Sequence, residues 1–106
     1  MENNDLKTLT QFLLEQLQQR PGNYLKEPSL SALSTFLLGY QVGRAQRYHD
    51  DFFGEQGFIH WLLHKKGSLE VSFWEIVLME EAGNDEFRAL ELFFEYLEEY
   101  QQDQNL

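Results

Sequence analysis

SFWEIVLMEEAGNDEFRALELFFEYLEEY, residues 72–100, holds the densest apolar pattern and most of the acid in a 106-residue chain. Ser72 followed by Glu75 has the spacing of a capping box, in which serine and glutamate reciprocally satisfy the free N–H groups of a first helical turn. The pattern predicts a helix from there to about Ala82, stopped by Gly83. Phe73, Trp74, Ile76, Val77, Leu78 and Met79 wrap almost all round that helix, which is therefore expected to be central and the most buried. Residues 69–79, LEVSFWEIVLM, also have strand propensity. The strand alternative stays open beside the favoured helix. Asn84 and Asp85 are expected to cap the last helix. At 100° per residue, Phe87, Leu90, Phe94 and Leu97 form one stripe, with Ala89, Phe93, Tyr96 and Tyr100 beside it. Together they make a wide apolar face. Glu91, Glu95, Glu98 and Glu99 gather on the opposite side with Arg88 among them. Residues 101–106, QQDQNL, read as a frayed tail.

Working outward, Asn4 or Asp5 suits the cap of a first helix running to about Arg20. Leu6, Leu9, Leu13 and Leu17 make its apolar stripe, flanked by Phe12 and Leu14. Pro21-Gly22 stops it, and Tyr24 and Leu25 are expected to tuck under the core from the loop that follows. A second helix is predicted from Pro28-Ser29, with proline in the first turn. Its buried face comprises Leu30, Leu33, Phe36, Leu37 and Tyr40. Arg44 and Arg47 continue that face. They either snorkel past the core or pair with the acidic last helix, within this chain or in a second copy. Gly39 and Gly43 either permit close helix approach or mark a weak stretch. His49-Asp50-Asp51 reads as a loop or cap, with Phe52, Phe53 and Phe58 pointing inward. A short helix from about Glu55 to Lys66 carries Phe58, Trp61 and Leu62 on one side. Lys65 and Lys66 favour its last turn, and Gly67 suits its C-terminal cap.

Charge divides the chain. Residues 70–106 hold eleven of the eighteen acids and one basic residue, Arg88, so they carry the whole formal net charge of −10. Residues 1–69 balance at seven acids and seven Lys and Arg. A charge this negative disfavours nucleic acid and anionic membranes as partners and favours a basic protein. With 42% hydrophobic and 15% aromatic residues, a single domain of this length can bury a core without staples. There is no cysteine, which excludes disulfides and thiolate metal sites and fits a reducing compartment. The N-terminus lacks a basic region followed by an apolar run, so no signal peptide is expected. No apolar stretch approaches the roughly 20 residues that span a bilayer. The expectation is a soluble, cytoplasmic protein.

Chemistry is sparse. His60 and His64 stand four apart, and His49 could add a third nitrogen. The string HWLLH lacks the glutamate of the hydrolytic HExxH motif, so the histidines read as polar-face residues, with no metal and no cofactor. Carboxylates are abundant, but a general acid and base need environments that push their pKa values apart, and Glu91, Glu95, Glu98 and Glu99 read as a solvated row. The serines stand at caps or early helix positions, and no phosphate-binding glycine loop occurs. The chain does not read as an enzyme.

The acidic row has three readings: an ordinary solubilising face, a surface complementary to a basic protein, or a mimic of the phosphate rails of DNA. The segregation of charge favours binding, because a merely soluble protein mixes its signs. Tyr96 and Tyr100 are candidate aromatic anchors at its edge, or core tyrosines whose hydroxyls reach water.

Phe58, Trp61, Leu62, Ser72-Phe73-Trp74-Glu75-Ile76-Val77-Leu78, Ala82-Gly83, Asp85-Glu86, Ala89, Phe93-Phe94 and Leu97 together resemble small bacterial immunity proteins encoded beside polymorphic toxins. The resemblance covers about the last half of the chain. It implies a cytoplasmic inhibitor that binds one cognate toxin domain, often a nuclease, and blocks its basic active site. It transfers no catalytic residue.

The expected fold is all-α: a single-domain, irregular bundle of four to five helices. Its expected core comprises Phe36, Leu37, Phe58, Trp61, Phe73, Val77, Leu90, Phe94 and Leu97. The leading function is toxin neutralisation through the acidic surface. Its partner-binding residues, from the charge argument alone, are Glu91, Glu95, Glu98, Glu99, Tyr96 and Tyr100. The alternatives are a self-associating helical adaptor, whose wide apolar face on the last helix packs on another copy as a homodimer, and an acidic DNA-mimic inhibitor.

Overall fold

The computed structural model describes residues 9–44, Phe52, 57–67 and 74–104, with side chains through Gly39 in the first range. Among the described residues the chain forms five helices and no strand. The fold is all-α, as the periodicity predicted. Asn4, Asp5, Leu6, Arg47, His49, Asp50, Asp51, Phe53, Glu55, Ser72 and Phe73 lie outside the described residues, as do the side chains of Tyr40, Gly43 and Arg44.

Helix α1 (Leu9–Phe12) continues directly as a π-helical turn, Leu13–Leu17. There the Gln18 N–H donates to the Leu13 carbonyl at 2.8 Å. A strict four-residue leucine repeat runs ahead of an α-helical face by about 40° per step. The wider turn winds more slowly and brings the repeat back into line. Leu9, Leu13 and Leu17 are accordingly all buried, with Phe12 and Leu14 half-buried on the flanks. Pro21–Asn23 forms a single 3₁₀ turn that ends the segment. Leu25 tucks under the core as expected. Tyr24 stays at the surface, its ring edge-on to Phe12 and Phe36 at 5.1 and 6.3 Å.

Helix α2 spans Leu30–Arg44. Its cap is the buried Ser29, whose Oγ accepts from the Ala32 N–H at 3.1 Å. Pro28 therefore precedes the cap rather than entering the first turn. Leu30, Leu33 and Leu37 are buried, whereas Phe36, expected in the core, is half-buried and stacks on Phe12 at 6.0 Å. Among the described residues a Cβ on Gly39 would meet nothing within 4 Å, so no described helix approaches closely there.

Helix α3 (Phe58–Lys66) starts from an extended Gly57 and ends at Gly67 in the left-handed region, φ 80°. Phe58, Ile59, Leu62 and Leu63 are buried; Trp61 lies at the margin of the core rather than within it. Helix α4 (Trp74–Glu81) resolves the helix-or-strand alternative for residues 74–79 in favour of helix. It ends in a Schellman turn. The Asn84 N–H donates to the Met79 carbonyl at 2.8 Å and the Gly83 N–H to Glu80 at 3.2 Å, with Gly83 and Asn84 both at positive φ. Asp85 then caps α5 (Glu86–Gln104), its Oδ1 accepting from the N–H groups of Phe87 and Arg88 at 2.9 and 3.2 Å. The turn from Ala82 to Asp85 is thus specified locally at every position.

Helices α4 and α5 are expected from the sequence to form the spine together, with α4 the most buried; α5 alone fills that role. Only Trp74 and Leu78 of α4 are buried, Val77 is half-buried, and Ile76 is 52% exposed. Eight residues of mixed apolar side chain cannot all face inward when one side of a short helix is covered. Helix α5 instead buries Ala89, Leu90, Leu92, Phe93, Phe94 and Leu97. Phe93 is the hub. Its ring lies 5.3 Å from Phe58, 5.7 Å from Trp74, 6.5 Å from Phe52 and 5.4 Å from Phe94. Such aromatic pairs add to the area they remove from water. The helix also runs through Gln104, further than a frayed tail implies, and Trp61 Nε1 donates to Asp103 Oδ2 at 3.0 Å near its end.

Candidate partner-binding face

Helix α5 packs against the π-helical turn Leu13–Leu17, α2, α3 and α4. Ser31 reaches Glu86, and Gln18 Nε2 donates to Glu98 Oε2 at 2.9 Å. Across the helix, Lys65 Nζ meets Glu99 Oε2 at 2.8 Å and Glu81 meets Tyr96. Glu98 and Glu99 mark the two edges of one outward ridge. It carries all four nominated glutamates, Glu91, Glu95, Glu98 and Glu99, each exposed.

The ridge is held by residues of its own chain. Arg88 Nη1 donates to Glu91 Oε1 at 3.1 Å and to Glu95 Oε2 at 3.0 Å, bridging one and two turns along the helix. Glu99 holds Lys65, whose ammonium also lies 5.5 Å over the Trp61 ring, and hydrogen bonding to Glu99 pushes the Lys65 pKa up. Four carboxylates therefore stand against two cations, and the ridge keeps a net negative charge. Exposed pairs of this kind contribute little to stability. Their effect is to fix the direction in which each carboxylate points.

Tyr96 and Tyr100 stand apart from the ridge. The Tyr96 hydroxyl donates to the Glu81 carboxylate at 2.8 Å and accepts from Lys66 Nζ at 3.1 Å, while Lys66 pairs with Glu81 at 2.7 Å. This three-way junction ties the ends of α3 and α4 to the middle of α5. The Lys66 hydrogen bond holds the Glu81 carboxyl below the usual carboxylate range, and Glu81 in turn raises Lys66. Tyr100 is half-buried, its ring edge-on to Phe58 and Trp61 at 5.6 and 5.5 Å. Both tyrosines pack in the seam with α3. Of the wide apolar face of α5, Ala89, Leu90, Phe93, Phe94 and Leu97 are buried within the chain.

The 100° spacing sets Phe87 in one stripe with Leu90, Phe94 and Leu97, but it is 55% exposed. Conversely Leu92, assigned to neither stripe, is buried. The buried arc of α5 is rotated toward Leu92, which leaves Phe87 at its rim. Near the start of α5, Glu86 is pushed below the carboxylate range by its bonds to Ser31. Glu75 is pushed up by partial burial and by the neighbouring charge of Glu86.

His60 is half-buried and His64 exposed. Among the described residues no three His, Cys, Asp or Glu side chains come together in a way that could hold a metal ion. Nor is any described helix long and apolar enough to cross a membrane. No protein-family model matches this chain, and no curated protein or solved structure matches it.

Proposed function

We propose that this chain is a stoichiometric protein inhibitor of the immunity type, which docks the acidic ridge of α5 on a basic partner domain and so covers that domain's working surface. The observation that supports it best is the ridge: Glu91, Glu95, Glu98 and Glu99 exposed side by side on the longest described helix, in the C-terminal third of the chain, which carries the whole net charge. Complementary charge of this kind accelerates encounter and rejects partners of the wrong sign. The chain acts by occupying a surface and not by chemistry, which fits a ridge whose carboxylates lie in solvent rather than in a cleft.

The experiment is co-purification with the product of the gene immediately upstream, at low and at high salt. A one-to-one complex that forms more slowly as salt rises is the expected result. A chain that runs alone under both conditions, or as a dimer indifferent to salt, argues against an inhibitor acting through this face.

A further inference from the structure

Four large apolar side chains are exposed among the described residues: Tyr24, Leu38, Ile76 and Phe87. Tyr24 has its ring against Phe12 and Phe36. Leu38 lies on α2, a helix without a carboxylate. Ile76 has a single carboxylate, Glu80, one turn on along α4. Phe87 differs from all of them. It stands one turn before Glu91, two before Glu95 and three before Glu98, with spacings of four, four and three residues that keep all of them on one exposed strip of α5. A half-exposed phenylalanine gains no solubility for the chain, and its ring is the sort of rigid apolar body that anchors protein interfaces.

We infer that Phe87 is the apolar anchor of the acidic ridge, and that the partner is a basic protein surface with an apolar socket. Its lysines or arginines should lie about 6 and 12 Å from that socket, the axial reach from Phe87 to Glu91 and to Glu95. The socket fixes register and the charges steer approach. A second copy of this chain does not suit the site, because it would set one acidic strip against another. This inference rests on the ridge being a docking face, and it transfers the anchoring role from Tyr96 and Tyr100, which are engaged within the chain, to Phe87.

The test uses two helical peptides of equal charge as probes, one of lysine and leucine with the leucines on one face, the other with alanine in place of leucine. Binding to the full chain is measured by fluorescence anisotropy at low and raised salt. Wild type should prefer the leucine peptide. Phe87→Ala should lower affinity for that peptide about tenfold and leave the alanine peptide unchanged. Leu38→Ala, equally exposed but away from the carboxylates, should change neither. Thermal melts establish that both variants fold. A leucine preference that survives Phe87→Ala overturns the anchor, as does an equal loss in Leu38→Ala, which marks general stickiness. The docking face is judged separately. If Glu91→Gln with Glu95→Gln leaves both affinities and their salt dependence unchanged, the acidic ridge is not the recognition surface. If neither peptide binds the wild type, both ideas fall together.

Discussion

Glu86, the first residue of α5, accepts hydrogen bonds from both the backbone N–H and the hydroxyl of Ser31, at 2.9 and 2.6 Å. Ser31 lies in the first turn of α2, so a carboxylate from the last helix caps the second one from outside. The free N–H groups and the positive end of the helix dipole both favour an anion at that point. Ser29 fills the ordinary capping position of the same turn. The N-termini of two helices 55 residues apart in sequence are thereby locked together.

Removing this link should cost stability cooperatively. Glu86→Ala and Ser31→Ala are each expected to destabilise by about 1 kcal/mol, the ordinary cost of losing a cap. The double variant should cost clearly less than the sum. Urea titrations of all four proteins give the coupling directly. Simple additivity would show that the two side chains do not work as a pair.

Glu75 and Glu86 predict opposite pH responses. Glu86 and Glu81 have folded pKa values below their unfolded ones. The stability they add is present above the unfolded carboxylate value of about 4.3, and is lost as pH falls through the lower folded values. Glu75 is raised, so the folded state binds its proton more tightly. Its contribution is favourable below the unfolded value and falls away as pH rises toward the folded one. Glu75→Gln should therefore raise the melting temperature at pH 7, and the gain should shrink as the buffer is taken to pH 4. A variant less stable than wild type at neutral pH contradicts the account in which burial and the neighbouring Glu86 charge raise Glu75.

Tyr96→Phe tests the three-helix junction against the docking reading. It removes the hydroxyl between Glu81 and Lys66 but leaves their direct 2.7 Å pair. A loss of about 1 kcal/mol in chemical denaturation is expected. Binding to the basic peptides should be unchanged, because the hydroxyl faces the seam and not the ridge. A selective loss of binding without loss of stability would return Tyr96 to the partner-binding surface.

Phe93 and Ile76 should separate sharply in stability. Phe93→Ala empties the point where four other aromatic rings meet and is expected to cost roughly 3–5 kcal/mol. Trp74→Ala, which removes one of those rings, belongs in the same range. Ile76→Ala should fall within about 0.5 kcal/mol of wild type, as an exposed substitution does. Denaturant midpoints for the three variants check this. A large effect at Ile76 would restore α4 as the buried centre.

Arg88→Ala should make the chain a faster binder. Its guanidinium bridges Glu91 and Glu95, and removing it frees both carboxylates and raises the negative charge of the ridge. Stopped-flow association with the lysine–leucine peptide should speed up and become more sensitive to salt. Slower association would mean that Arg88 itself contacts the partner.

The ends of α3 and α4 and the start of α5 were legible because their causes are local. Gly83 ends α4 at a positive φ, Asp85 binds the N–H groups two and three residues on, and Gly67 closes α3. Each feature involves residues within a turn of one another, so spacing alone identifies it. The leucines of α1 and α2 were equally readable, since a narrow stripe has one way to face a core. Of the six nominated residues, exposure of the four glutamates was legible from helical periodicity, whereas the partners of both tyrosines in the seam depend on where α3 and α4 pack.

By itself the sequence determined an all-α chain, the positions of its turns, and an acidic outward row on the last helix. Periodicity and capping act over a few residues and need no knowledge of neighbours. Only the tertiary structure decided which part of each broad apolar surface is covered. Helix α5 offers apolar side chains over more than half its circumference, and α4 offers them almost all round, so either could rotate without breaking a local rule. Packing by the Leu13–Leu17 turn, α2, α3 and α4 chose the rotation that buries Leu92 and exposes Phe87 and Ile76. Glu86 on Ser31, Lys65 on Glu99 and Trp61 on Asp103 join residues 55, 34 and 42 positions apart in the chain. Such pairs form where the folded chain brings two surfaces within a side chain's reach, and no spacing along the sequence encodes them.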